Sequence, residues 1–114
     1  IRSGIESLLG HRFNSVLLNY YHDENDSMGM HSDNESELGE QPLIASLSLG
    51  DERVFLLRHR TRKDLKTIKL PLPSGSLLVM AGKTQSHWRH GIARERQRCG
   101  PRVNLTFITC AMRN

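Results

Sequence analysis

The chain contains few cysteines, no long apolar run and no low-complexity segment. Cys99 and Cys110 are the only two cysteines, and their spacing is not the CxxC pattern of a metal site. Two cysteines in a chain without secretory features are more typical of free thiols than of a disulfide. The apolar runs fall far short of the roughly 20 residues that cross a bilayer, and no signal-peptide pattern opens the sequence. We therefore expect a soluble intracellular protein, cytoplasmic or, in a eukaryote, nuclear, that does not enter a membrane.

The size and charge of the chain indicate one basic domain. The 114 residues show no linker or internal repeat, so we expect a single domain over residues 1–114. The net charge is +4 and the pI is about 9.5, which permits a nucleic-acid partner. The basic residues are densest in two clusters, within residues 58–63 and 94–102. For each cluster, a solvated loop is an equally good interpretation.

The local pattern predicts an all-β, mainly β fold. Short apolar or alternating segments are separated by turn residues, as in β-sandwiches and barrels. We expect a short N-terminal helix within residues 1–9, and strands at 15–21, 43–49, 53–58, 66–70, 76–80 and 102–110. The segments between them, including 23–29 and 71–75, are predicted breaks. The architecture that this pattern favours is a jelly roll of two facing antiparallel sheets.

The last predicted strand alternates polar and apolar residues. Because successive side chains of a strand point to opposite faces, Arg102, Asn104 and Thr106 share one face. Val103 and Phe107 lie on the other face, which is expected to join the core. The polar face lines either solvent or a polar cavity, and the alternation does not distinguish the two.

A histidine and a carboxylate lie two residues apart in His31-Ser32-Asp33. In an extended strand both side chains point the same way and can reach one metal ion. With a second histidine they would form the two-histidine, one-carboxylate triad of non-haem Fe(II) oxygenases. His90 and His87 are both candidates for the third ligand. Strand parity would send these two histidines to opposite faces, and the residue chemistry leaves the choice between them open.

Several motifs, read in order over residues 13–107, resemble the AlkB family of Fe(II)/2-oxoglutarate-dependent dealkylating dioxygenases. The combination of HxD, a distant histidine and RxNLTF is specific. The matching motifs are Asn19-Tyr20-Tyr21, His31-Ser32-Asp33, Ile44-Ala45-Ser46-Leu47-Ser48-Leu49-Gly50, Gly75-Ser76-Leu77-Leu78-Val79-Met80, His90-Gly91-Ile92 and Arg102-Val103-Asn104-Leu105-Thr106-Phe107.

The resemblance implies a double-stranded β-helix and assigns a role to each matching residue. It implies that Fe(II) is held by His31, Asp33 and His90, which selects His90 over His87. It implies that 2-oxoglutarate and O₂ are co-substrates and that Arg102 pairs with the distal carboxylate of 2-oxoglutarate. The residues implied to hold or line the co-substrate pocket are Asn19, Tyr21, Asn104, Ser46 and Thr106. Glu35 matches an acidic position that approaches the substrate base.

The family chemistry implies oxidative demethylation of N-methylated bases such as 1-methyladenine and 3-methylcytosine. The expected partner is alkylated single-stranded or double-stranded DNA or RNA, and we expect a monomer. Because a paired base must be flipped out of its stack, single strands are the less demanding targets.

Two departures from the family pattern favour an alternative. Ile108 stands where the family usually has a second arginine, and parity places it on the face of Arg102. Losing one charge-assisted hydrogen bond typically costs ~1.5–3 kcal/mol. The N-terminal lid that supplies base recognition in the family is not found in residues 1–114. The alternative is a degenerate or divergent member that binds metal but acts weakly, or on a substrate other than nucleic acid.

Overall fold

The computed structural model describes residues 1–33, 38–39 and 41–110. The helices and strands of this part of the chain are α1 (Arg2–Leu9), β1 (Ser15–Tyr21), β2 (Met28–His31), β3 (Ile44–Gly50), β4 (Arg53–His59), β5 (Ile68–Leu72), β6 (Leu77–Met80), α2 (Thr84–His87), β7 (Trp88–Ile92) and β8 (Arg102–Ile108). None of the described helices is long and apolar enough to cross a membrane.

The strands form two four-stranded antiparallel sheets. The order in the first sheet is β1-β8-β3-β6, and in the second it is β2-β7-β4-β5. The first and last strands of the chain pair along their whole length, with Ser15 opposite Ile108 and Tyr21 opposite Arg102. The predicted all-β jelly roll is confirmed.

The main core lies between the two sheets. It contains apolar side chains from both of them: Tyr21, Ile44, Phe55, Leu72, Met80, Ile92 and Ile108. A smaller cluster of Ile5, Phe13, Ala45 and Phe107 packs where α1 covers the outer face of the first sheet. The alternation of β8 therefore separates two environments, with Phe107 in the outer cluster and Ile108 between the sheets.

The helix α1 is anchored to the chain that follows it. It ends at Gly10, whose positive φ of 62° suits the left-handed turn that closes a helix. The carboxylate of Glu6 accepts a hydrogen bond of 2.6 Å from the backbone N–H of Phe13. These contacts direct the chain from α1 into β1, and the predicted N-terminal helix is confirmed.

Several predicted boundaries and assignments were wrong. The fifth strand covers Ile68–Leu72, so Pro71 lies within it and not in the predicted turn at 71–75. Proline is tolerated there because β5 is an edge strand, and an edge strand can lack one N–H. The strands β2 and β7 and the helix α2 were not predicted. The last strand ends at Ile108 and does not extend to residue 110.

Candidate active site

The three predicted metal ligands meet at one end of the second sheet. His31 ends β2, Asp33 follows it, and His90 lies in β7 directly opposite His31. One ligand atom from each residue lies within 4.8 Å of the other two. The Nε2 atoms of His31 and His90 are 3.7 Å and 3.5 Å from the carboxylate oxygens of Asp33. Two imidazoles and one carboxylate in this arrangement are a donor set suited to Fe(II).

The close approach of β2 to β7 depends on a glycine next to His90. A Cβ atom on Gly91 would lie 2.7 Å from the backbone oxygen of Met28. Any larger residue would therefore push β2 away from β7. The resulting shift would separate His31 from His90.

Neighbouring groups orient the two histidines. The Nδ1 atom of His31 lies 2.8 Å from the backbone oxygen of Gly29, which leaves Nε2 available as the metal ligand. The ring of His90 stacks on Phe55 with the ring centroids 5.3 Å apart and the planes inclined by 23°. His90 is buried, with 4% of its surface exposed.

The segment that carries Asp33 is fixed by two hydrogen bonds to the α2–β7 region. The backbone N–H of Asp33 donates to Oε1 of Gln85 at 2.8 Å, and the hydroxyl of Ser32 donates to the backbone oxygen of Trp88 at 2.7 Å. Gln85 is buried in α2, and its amide nitrogen also contacts the sulfur of Met80 at 3.4 Å. The hydrogen bond with His90 lowers the pKa of the Asp33 carboxyl, against the effect of its partial burial. The carboxyl is therefore ionised at neutral pH and ready to bind a cation.

His87 does not take part in this cluster. It lies in α2, is exposed and contacts the hydroxyl of Ser86 at 2.8 Å. The assumption that His87 and His90 lie on the same strand was wrong, because a turn of helix ends at His87 and the strand begins at Trp88. The structure nevertheless brings His90, and not His87, to His31 and Asp33.

A cavity of about 400 Å³ opens from the three ligands into the space between the sheets. It is lined by the metal-ligand candidates and by all six residues that the resemblance assigned to the co-substrate: Asn19, Tyr21, Ser46, Arg102, Asn104 and Thr106. The polar face of β8 therefore lines a cavity and not solvent, which the alternation alone left open.

Arg102 presents unpaired donors inside the protein. The residue is 1% exposed, and its Nη2 donates to the hydroxyl of Ser48 at 2.7 Å. Its Nε and Nη1 atoms are buried and have no hydrogen-bond partner among the described residues. A buried guanidinium with two unpartnered nitrogen donors matches the geometry of a carboxylate. The distal carboxylate of 2-oxoglutarate would satisfy these donors.

Tyr21 lies beside Arg102 at the same end of the cavity. The guanidinium carbon of Arg102 is 5.0 Å from the centroid of the Tyr21 ring. Burial raises the pKa of Tyr21, although the charge of Arg102 opposes the shift. The phenol is thus protonated at neutral pH and can donate a hydrogen bond. Burial lowers the pKa of Arg102, but a guanidinium remains charged at neutral pH.

The remaining polar residues of the cavity form a connected row. The amide of Asn104 donates to the hydroxyl of Ser46 at 2.5 Å, and the hydroxyl of Thr106 donates to the amide oxygen of Asn104 at 2.7 Å. Asn19 is directly opposite Asn104 in the β1–β8 pairing. This network fixes the donors and acceptors that line the middle of the cavity.

The cavity has an apolar wall at Ile108. This residue is 7% exposed and lies on the β8 face that carries Arg102, as parity predicted. Leu38, Leu72 and Cys110 line the same cavity. Cys110 and Cys99 are free thiols, as expected from the sequence.

Some functional residues were missed, and one prediction lies outside the described residues. Gln85 and Arg53 were not identified from the sequence, because their burial depends on tertiary packing that a local sequence pattern does not predict. Arg53 is fully buried and its guanidinium carbon is 5.5 Å from the Tyr21 ring centroid. Glu35, which was assigned to the substrate, lies outside the described residues.

A jelly roll that carries two histidines and one carboxylate in this arrangement is typical of non-haem Fe(II) oxygenases. The sequence matches the family model of the 2OG-Fe(II) oxygenase superfamily over residues 3–107. The chain therefore belongs to this superfamily. Membership implies Fe(II), 2-oxoglutarate and O₂, which the triad and the free donors of Arg102 fit.

Individual relatives confirm the resemblance to the AlkB family. The alpha-ketoglutarate-dependent dioxygenase alkB homolog 3 of Mus musculus is 44% identical over 116 residues, which cover 96% of this chain and 41% of that protein. The DNA oxidative demethylase ALKBH2 of Homo sapiens is 40% identical over 113 residues, which cover 94% of this chain and 43% of that protein. The chain thus spans less than half of the length of these curated relatives.

A solved structure supports the fold. The structure of OsALKBH1 superposes with a TM-score of 0.68 at 24% sequence identity, covering 96% of this chain and 61% of that one.

Proposed function

We propose that this protein is an Fe(II)/2-oxoglutarate-dependent dioxygenase that removes methyl groups from N-methylated bases of DNA or RNA, such as 1-methyladenine and 3-methylcytosine. The observation that carries the proposal is the cavity that joins the His31, Asp33 and His90 cluster to the unpaired donors of Arg102. The names of the curated relatives support the reaction and the nucleic-acid substrate.

The proposed site has a metal-binding end and an end that binds the distal carboxylate of 2-oxoglutarate. His31, Asp33 and His90 would hold Fe(II), and their position on one side leaves the cavity side free. Arg102 would pair with the distal carboxylate of 2-oxoglutarate, and Tyr21 would donate a hydrogen bond beside it. Asn104, fixed by Ser46 and Thr106, would orient the middle of the co-substrate.

When bound, Fe(II) would supply the coupling of 2-oxoglutarate decarboxylation, which gives succinate and CO₂, to hydroxylation of the N-methyl group, with one oxygen atom of O₂ entering succinate and the other the hydroxymethyl group. Ile108, Leu72 and Met80 are buried and form the apolar part of the cavity wall. The hydroxymethyl product would release formaldehyde and restore the base.

The basic cluster at residues 58–63 supports a nucleic-acid partner. Arg58, Arg62 and Lys63 are exposed, and Arg60 is half-buried where it donates to the backbone oxygen of Ser86 at 3.3 Å. Replacing Arg60, Arg62 and Lys63 by alanine should weaken binding of a single-stranded oligonucleotide. Each phosphate contact that is lost should reduce the slope of log K against log salt concentration by ~0.7. An unchanged slope would show that Arg60, Arg62 and Lys63 do not contact phosphates.

The reaction is tested on a single-stranded oligonucleotide that carries one 1-methyladenine or 3-methylcytosine. The oligonucleotide is incubated with protein, Fe(II), 2-oxoglutarate and air, and its mass is then measured. We expect loss of the methyl group with the wild-type protein, and no loss with His31→Ala or without 2-oxoglutarate. His87→Ala is the matched control, because it removes an exposed histidine outside the cavity and should leave demethylation intact.

Ile108 favours a second candidate, in which the chain binds metal but turns over weakly. An apolar side chain at this position removes a cation that the family usually places there. If the mass is unchanged but succinate forms, the substrate assignment is wrong and the oxygenase assignment stands. If neither product forms, with metal bound, the weak or degenerate alternative is favoured.

A further inference from the structure

Arg53 is a buried cation that lines neither the cavity nor the metal cluster. It begins β4, and its side chain is fully buried. Its guanidinium donates to three backbone oxygens, at 3.2 Å to Asp23, 2.8 Å to Asp26 and 2.7 Å to Ala93. Arg53 therefore joins the β1–β2 connection to the chain that leaves β7. Burying a charge costs desolvation free energy, which these hydrogen bonds offset only in part. A role beyond packing would explain why a charged residue occupies this position.

Arg53 and Arg102 both lie against the ring of Tyr21. Their guanidinium carbons are 5.5 Å and 5.0 Å from the ring centroid. An aromatic ring attracts a cation at this distance, more strongly when the pair is removed from water. The two arginines therefore fix the ring of Tyr21 at the end of the cavity where Arg102 has free donors.

The charge of Arg53 is only partly offset by an acidic neighbour. The Nε atom of Arg53 is 3.7 Å from a carboxylate oxygen of Glu95, whose side chain is 34% exposed. The three backbone oxygens that Arg53 contacts carry no net charge. The carboxylate of Asp26 also interacts with the charge of Arg53, but it is partly exposed and paired with His22. Because both carboxylates are partly exposed and screened by water while both guanidinium groups are buried, the field at this end of the cavity favours an anion.

We propose that Arg53 is a positioning residue for the co-substrate: it holds Tyr21 beside Arg102 and adds a second buried positive charge, which selects a dicarboxylic over a monocarboxylic 2-oxo acid. The inference rests on the proposed function, since it assumes that a 2-oxo acid occupies the cavity. Arg53 would also compensate in part for Ile108. The positive charge that the family usually has at position 108 would be replaced by the charge of Arg53 behind the Tyr21 ring.

The test compares two ligands of the same length that differ only in the distal carboxylate. Affinities for 2-oxoglutarate and 2-oxopentanoate are measured by calorimetry on the protein loaded with Mn(II), which binds like Fe(II) but does not turn over. Arg53→Met should reduce the preference for 2-oxoglutarate about tenfold, the effect of removing one unit charge that acts through space in a partly desolvated site, while the affinity for Mn(II) stays within about twofold of wild type. Arg12→Met removes an exposed arginine outside the cavity and outside both basic clusters, and should leave the preference unchanged.

A purely structural role of Arg53 would give a different result. Arg53→Met would then weaken both ligands equally, and an unchanged preference would overturn the proposal. If Arg53→Met does not fold, Glu95→Gln tests the proposal instead. This substitution removes the half-exposed carboxylate that offsets the charge of Arg53, so it should raise the preference for 2-oxoglutarate over 2-oxopentanoate about twofold. A preference that stays constant or falls in Glu95→Gln would contradict the proposal. Failure of the wild-type protein to bind either ligand would instead reject the proposed function itself.

Discussion

Replacing Ile108 with arginine should strengthen the binding of 2-oxoglutarate. Ile108 lies on the β8 face that carries Arg102, Asn104 and Thr106, and all four side chains line the cavity. The cavity volume of about 400 Å³ leaves room for a longer side chain to extend from this position. A guanidinium there would add a cation facing the bound co-substrate.

The expected gain follows from the energy of one charge-assisted hydrogen bond, ~1.5–3 kcal/mol. This range corresponds to an affinity for 2-oxoglutarate that is roughly 10- to 150-fold higher. Without the ligand, the same substitution should lower the free energy of unfolding, because the new charge is left unpaired beside Leu72 and Leu38. Adding 2-oxoglutarate should therefore raise the melting temperature of Ile108→Arg more than that of the wild type.

The assay is calorimetric titration of 2-oxoglutarate into the Mn(II)-loaded protein. Ile108→Met is the matched control, since it changes the shape of the wall without adding charge. The reasoning is refuted if Ile108→Arg is folded and retains Mn(II), yet binds 2-oxoglutarate no more tightly than Ile108→Met.

Two further predictions concern residues outside the pocket wall. Gln85→Leu should weaken Mn(II) binding about tenfold or more, because the backbone N–H of Asp33 loses its hydrogen-bond partner. Electron paramagnetic resonance titration measures the affinity for Mn(II). An effect equal to that of Gln97→Leu, the control at an exposed glutamine, would contradict the prediction. The backbone N–H and the ring of His22 lower the pKa of the Asp26 carboxyl, so its contribution to stability is present above the unfolded pKa and is lost as the pH falls through the folded pKa. The melting temperature of Asp26→Asn should therefore lie below that of the wild type at neutral pH and approach it below about pH 4; a constant difference between the two would count against this role.

The sequence predicted best where the residue pattern was local. The alternation of β8 placed Arg102, Asn104 and Thr106 on one face, because strand geometry alone decides this. The three predicted metal ligands followed from the resemblance to the AlkB family, and their side chains do converge.

The strands that carry His31 and His90, two of the predicted ligands, were harder to predict. The strands β2 and β7 have only four and five residues, and each contains a glycine. Their pairing, with His31 opposite His90, comes from contacts between segments about 60 residues apart, which no local signal encodes. The roles of Arg53 and Gln85 were missed for the same reason, since long polar side chains are usually exposed.

The visible absorption of the anaerobic protein with Fe(II) and 2-oxoglutarate tests whether His31, Asp33 and His90 hold Fe(II) at the end of the co-substrate cavity. Chelation of Fe(II) by a 2-oxo acid gives a charge-transfer band that neither component shows alone. We expect this band in the wild-type protein, its absence in His31→Ala, and a requirement for much more 2-oxoglutarate in Arg102→Met. A band of equal strength in His31→Ala, or its absence from a folded wild-type protein that binds Fe(II), would contradict the assignment of the site.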